Sequence, residues 1–329
     1  SALGPELLVD EALLLRTLRD VVARHIIPSG SAPSADDDLD RRLETLWDLC
    51  VDEAAAVFLE RNQAIDILTE VATRAQAAGE TRCSEVCLGA LANICAHQCV
   101  ARALGGGALA TLPKAALEGL ASDDGAVVLQ ALRLACSLLS SSTACRCPSL
   151  WSEGALLRYL FVLESSLLWD AVRHACDALS QILVLESGEG EGAAHGGAPG
   201  CGEAESHRGP EVSSRLLREG LPSLLAARGA ELAAAASDDF GAESREGAAS
   251  QGEGDVEAAL LSLLCLADSL LSMPHPEGAS TSASAPSEAT LGKMVLRSIA
   301  SSGRPDVLTA ALGLLASLLD SESQAVVAA

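Results

Sequence analysis

The chain is poor in aromatic side chains, in positive charge and in anything that reads as a strand. Aromatics are 2% of 329 residues, so the interior has to be built from Ala and Leu, which favour helices and let them approach closely. Lys and Arg number 22 against 45 Asp and Glu, a formal net charge of -23. A phosphate backbone is held by clustered cations, so this balance argues against nucleic acid as a partner and for a basic one. No run reaches the ~20 apolar residues that cross a bilayer. The longest apolar stretch, 258–273, is shorter and contains Asp268, which reads as a buried helix and gives no membrane partner.

The amino-terminal leucines are interspersed with Glu6, Asp10, Glu11 and Asp20, unlike the basic-then-apolar layout of an export signal. Because the chain begins at Ser1 and not at Met, its amino terminus need not be complete. Eleven cysteines lie within helical patterns of a chain with ample apolar material, which fits a reducing, intracellular compartment better than a disulfide framework.

What the chain does have is a period. A polar residue followed by an aliphatic one recurs near the ends of five apolar helical patterns: Asn93-Ile94, Ser137-Leu138, Gln181-Ile182, Ser269-Leu270 and Ser317-Leu318. By subtraction the intervals are 44, 44, 88 and 48. A spacing of forty-odd residues on a helical pattern indicates stacked repeats whose units bury one another. The expected fold is all-α, an armadillo/HEAT-like α-solenoid, wound as a right-handed superhelix of helical repeats.

The expected organisation is an amino-terminal helix over 1–28, an acidic linker over 29–40, and a repeat domain over 41–329 interrupted by low-complexity insertions at about 187–210, 229–254 and 274–288. Residues 39–60 read as two helices. The first repeat breaks near Gly79 and resumes over 84–96; the second breaks at 122–125 and resumes over 126–140; the third resumes over 170–185. The doubled interval before Ser269 is explained by Gly-, Ala-, Ser- and Glu-rich stretches, which cannot bury enough apolar surface to offset the entropy of ordering. A fifth unit is expected in 290–301 and 306–319.

The segments Ala90-Leu91-Ala92-Asn93-Ile94 and Ala178-Leu179-Ser180-Gln181-Ile182 resemble the carboxyl-terminal helix of an armadillo unit. A narrower resemblance covers residues 43–100. It rests on Leu46-Trp47-Asp48-Leu49-Cys50-Val51-Asp52-Glu53, on Val57-Phe58-Leu59, on Ile65-Asp66-Ile67, and on Glu85 through Ile94. This part is similar to the serum amyloid A-like protein family. The resemblance implies an armadillo-type intracellular protein, in the nucleus rather than the cytoplasm, without catalytic activity and associated with cell proliferation.

Chemistry-bearing motifs are few. There is no H-E-x-x-H, no G-x-S-x-G and no phosphate loop. Gly105, Gly106 and Gly107 read as a helix stop in the left-handed cap conformation. Cys83, Cys87, Cys95, Cys99 and His97 have a spacing unlike that of zinc modules and read as packing positions. Cys145 with Cys147, and His174 with Cys176 and Asp177, lack a placed base or a shared helix face. The sequence thus predicts no catalytic residues, no metal and no cofactor.

The polar ladder remains. In a curved stack the third helix of each unit lines the inner surface, where a repeated amide or hydroxyl can bond the main chain of an extended protein segment. Asn93, Gln181, Ser137, Ser269 and Ser317 are the candidate partner-binding residues, and the two amides are the stronger because each carries donors and acceptors. Replacing Asn93 and Gln181 by Ala is expected to weaken capture with little loss of stability. An importin-like transport adapter would need Trp beside the amides, and Trp47, Trp151 and Trp169 do not occupy those places. The remaining alternative is a cysteine-based metal or redox sensor.

Overall fold

The computed structural model describes residues 11–26, 37–140, 147–187 and 258–267, with single positions among 216–231 and at 311. Among these residues every regular element is helical. The chain forms two compact units, Ser1–Ser152 and Glu153–Ala329.

In the first unit, α1 (Glu11–Val21) buries Leu14, Leu18 and Val21 along one face and runs on into a π-helical turn, Val22–Ile26. Next comes α2 (Asp37–Leu49), whose Leu39, Leu43 and Leu46 are buried at helical spacing. It starts inside the stretch expected to be linker: Asp38 and Asp40 lie in its first turn, where negative charge suits the helix dipole. Arg42 reaches back from α2 to Asp20 of α1, Nη1 to Oδ2 2.6 Å.

A short α3 (Glu53–Arg61) is capped by Asp52, whose carboxylate accepts from Ala55 N at 3.0 Å. Two longer helices follow, α4 (Ala64–Ala78) and α5 (Thr81–Ala96). The turn between them needs the left-handed backbone of Gly79, φ 75°. The pattern then repeats as α6 (Gln98–Ala103), α7 (Gly106–Gly119) and α8 (Gly125–Leu139), with Asp124 capping α8 through bonds to Ala126 N and Val127 N. A 3-10 turn, Pro148–Trp151, closes the unit.

Each repeat is therefore a short helix followed by two long ones. Second helices pack on second helices, α4 on α7, and third on third, α2 on α5 and α5 on α8. Along α5, residues 86–95 are all buried, because this helix is covered by its own repeat and by the repeats before and after it. Small side chains make that approach close: a Cβ at Gly119 of α7 would stand 2.8 Å from the Ala131 Cβ of α8. Burial of each leucine in this stack contributes about 1.5–3 kcal/mol.

Gly105 does not take the expected left-handed cap. It is extended, φ -77° and ψ 166°, and precedes α7 as its amino-terminal cap, with Gly106 and Gly107 in the first turn. The break after α6 is made at Leu104 instead, whose N–H returns to Val100 O.

In the second unit, α9 (Glu153–Ser165) packs against α10 (Trp169–Ser187), with Tyr159, Leu163, Val172 and Leu179 fully or almost fully buried. Residues 258–267 are helical and bury Leu260, Leu263, Leu264 and Leu266, within the apolar stretch 258–273 that reads as a buried helix. Arg228 is 6% exposed. Its guanidinium donates to Ser166 O, pairs with Glu231 and lies over the Trp169 ring, 5.1 Å from the centroid. The expected helices at 290–301 and 306–319, and the expected insertions, lie outside the described residues apart from single positions.

Candidate functional site

The last four carbonyls of a helix have no partner within it. At the end of α2 the following third helix supplies partners: Asn93 Nδ2 of α5 donates to Trp47 O at 3.2 Å, and His97 Nε2, just past α5, lies 3.1 Å from Cys50 O. One repeat later the pattern recurs, with Ser137 Oγ of α8 donating to Ala92 O of α5 at 3.1 Å. The sequence separations, 46 and 45 residues, are those of consecutive repeats. So at Asn93 and Ser137 the periodic polar residue is a tie from one third helix to the main chain of the preceding one.

Asn93 does more. Its Oδ1 accepts from Arg133 Nη2 at 2.8 Å, while Arg133 Nη1 donates to Gln130 Oε1 at 2.6 Å. One amide thereby joins α2, α5 and α8 while only 9% exposed. Gln181 lies in α10 of the second unit, at the corresponding place near the helix end, and is half-buried. Ser269 and Ser317 lie outside the described residues.

The cysteine-rich stretch is divided by the helix face on which each residue falls. Cys50, Cys87 and Cys95 are buried, and burial pushes the Cys50 and Cys95 thiols up to about 12. Cys99 is exposed; its thiol is raised by its hydrogen bond to the Glu53 carboxylate. With His97 turned to Cys50 O, the five residues are not gathered around one point. Cys147 is buried, and Cys145 lies outside the described residues. His174 faces Asp177, Nδ1 to Oδ2 3.8 Å, while Cys176 is buried; burial raises the Asp177 carboxyl.

A different group is assembled around Cys83. Its Sγ lies 3.7 Å from His25 Nε2, and His25 Nδ1 lies 3.6 Å from Glu80 Oε2. His25 stands on the π-helical turn after α1, its side chain 7% exposed. That turn is held by Arg74 of α4, whose Nη1 donates to the carbonyls of His25 and Ile26 at 3.0 Å each. The Cys83 thiol is held below its ordinary range, with the neighbouring Cys87 thiol, one turn along α5, as the first influence. Burial opposes this, and the His25 bond and charge assist it. Cys87 itself is pushed well up by its hydrogen bond with Cys83 and by burial. Nothing local in the sequence marks this group, since His25 and Cys83 are 58 residues apart.

No protein-family model matches the chain. Over 85 residues it is 34% identical to Protein saal1 of Danio rerio, a stretch that is 26% of this chain and 18% of that protein. Among solved structures it is similar to an engineered protein, with a TM-score of 0.57 at 13% identity over 92% of this chain and 96% of the other. A designed armadillo repeat protein aligns with a TM-score of 0.55 at 15% identity over 92% and 99%. Another, in complex with the peptide (KR)4, aligns with a TM-score of 0.54 at 14% identity over 92% and 99%. The fold is that of an armadillo-type helical repeat protein.

Proposed function

We propose that this chain is a non-enzymatic scaffold that takes up extended, basic protein segments along its third helices. The observation that carries the proposal is an armadillo-type stack built on a chain with net charge -23. A surplus of acids concentrates cationic segments near the surface and speeds their encounter. The similarity to an armadillo design complexed with (KR)4 supports the same chemistry.

Asn93, Ser137, Gln181, Ser269 and Ser317 are the proposed contact positions. An asparagine amide has two N–H groups and two lone pairs. In Asn93 one N–H goes to Trp47 O and one lone pair to Arg133, so the amide has capacity for one further bond of each kind. A bound main chain would use these.

The resemblance of residues 43–100 to the serum amyloid A-like group extends the proposal to an intracellular and chiefly nuclear protein with a role in cell proliferation. Imaging of the tagged chain in cells would show nuclear enrichment; exclusion from the nucleus would count against this part.

Binding is tested with the full chain and a fluorescent (KR)4 peptide followed by anisotropy, with an uncharged peptide of equal length as control. The expected result is saturable binding of the basic peptide that weakens as salt rises and weakens further in the folded Asn93→Ala/Gln181→Ala variant. No binding at low salt would sink the scaffold reading for basic segments, and binding indifferent to the two amides would remove them from the site.

A further inference from the structure

We propose that Cys83 is a modification site: a thiol activated by His25, with Glu80 orienting the imidazole, that a hydroperoxide oxidises to the sulfenic acid. The geometry sets the imidazole of His25 against both of the other groups. Nε2 faces the sulfur at 3.7 Å and Nδ1 faces the carboxylate at 3.6 Å, the order in which a thiol, a base and an orienting acid have to stand. The three groups come from two elements, the π-helical turn for His25 and the start of α5 for Glu80 and Cys83.

The surroundings favour a thiolate at this place. The Cys83 thiol is held below its ordinary range by the neighbouring Cys87 thiol and by the His25 bond and charge, against burial and the Glu80 charge. Arg74 of α4 holds the backbone that carries the imidazole. Arg82, the adjacent cation on α5, is engaged elsewhere, with Glu44 of α2 and Glu85 of α5. Cys83 is half-buried, so a small oxidant reaches it, whereas Cys87 is wholly enclosed. One ligand atom from each of His25, Glu80 and Cys83 lies within 4.8 Å of the other two, so a metal ion is the competing occupant of this group, and the test below separates the two.

In the reaction the Cys83 proton passes to His25 Nε2. The thiolate sulfur attacks one peroxide oxygen, the S–O bond forms as the O–O bond breaks, and sulfur is oxidised while the peroxide is reduced. The leaving oxygen takes the proton from Nε2 and departs as water or, from an organic hydroperoxide, as the alcohol. The event is stoichiometric, one sulfenic acid per chain.

The test treats the full chain with limiting hydrogen peroxide at pH 7 in the presence of a sulfenic-acid trap and quantifies each cysteine peptide by mass spectrometry. Cys99 and Cys265, both more exposed, are internal references. Cys83 should be trapped at least about tenfold faster than either, because thiolate character and not exposure sets the rate. In His25→Gln trapping of Cys83 should slow clearly with the Cys99 rate unchanged, and an unchanged Cys83 rate would overturn the role of His25.

A second measurement needs no variant. Alkylation of Cys83 by iodoacetamide in the unaltered chain should be nearly flat from pH 7 to 9, while that of Cys99 climbs. Faster trapping of Cys99 or Cys265, or a Cys83 profile parallel to that of Cys99, would overturn the proposal. Stoichiometric zinc in the purified protein that is lost in Cys83→Ser would overturn it in favour of a metal site.

Discussion

Gly89 of α5 lies directly beneath the indole of Trp47 of α2: a Cβ at Gly89 would stand 2.5 Å from Trp47 Cε2 and 2.7 Å from Cζ2. The missing side chain is what lets the aromatic ring pack this closely against α5. Gly89→Ala gains up to about 1 kcal/mol of helix propensity, but displacing a packed ring costs about 1–3 kcal/mol. A net loss of about 1–2 kcal/mol is expected in urea denaturation. The same substitution in a Trp47→Leu background should cost clearly less, and equal costs in the two backgrounds would show that the ring is not the obstacle.

Asn93→Ala removes the donor to Trp47 O and the acceptor for Arg133 together, leaving part-buried polar groups without these partners. The expected cost is about 1–3 kcal/mol, against about 1 kcal/mol for Ser137→Ala, which breaks one neutral bond to Ala92 O. This corrects the sequence-based expectation that Asn93 can be replaced with little effect on stability. A double-mutant cycle with Arg133→Ala should show coupling through Oδ1, and additive losses would remove that bond from the account.

Stability should fall on the alkaline side. Cys50 and Cys95 are held as thiols up to about 12 by burial, against an ordinary value of 9.0. Above pH 9 the unfolded chain releases these protons while the folded chain keeps them, so each contribution is full below 9 and is lost progressively as pH rises towards 12. Tm should therefore drop between pH 8 and pH 10.5. The drop should be shallower in the Cys50→Ala/Cys95→Ala variant, even though that variant is less stable at pH 7.

Arg74 is a positioning residue for His25. Arg74→Met keeps much of the aliphatic stem but removes the donor to the carbonyls of His25 and Ile26, at a cost of about 1–3 kcal/mol. Trapping of Cys83 should slow in this variant while Cys99 is unaffected. An unchanged Cys83 rate would mean that the π-helical turn is held by its other packing alone.

The helical content and the repeat were legible because they rest on short-range patterns. Leu39, Leu43 and Leu46 mark one face of α2, Gly79 marks a left-handed turn, and Asp52 and Asp124 announce helix starts; each is decided by neighbours within one or two turns. Boundaries were less legible where one residue type serves two structures. Asp38 and Asp40 suit a linker and a first helical turn equally, and Gly105 suits a stop and a start.

The ladder position was visible in the sequence, but its immediate role was not. A polar residue every 44 positions is compatible with an exposed contact row and with an internal tie, and the difference is whether a carbonyl such as Trp47 O comes within 3.2 Å. The pairing of Cys83 with His25 had no sequence signal, since the cysteine pattern pointed along its own helix towards Cys95 and Cys99.

By itself, then, the sequence determined which segments are helical, how often the unit recurs and which faces are apolar, because backbone propensity and helical spacing are local. Only the tertiary structure decided that Asn93 binds two neighbouring helices and that His25 meets Cys83. Hydrogen bonds and proton transfers depend on distances of a few ångströms between residues some forty to sixty positions apart, and those distances exist only once the repeats have stacked.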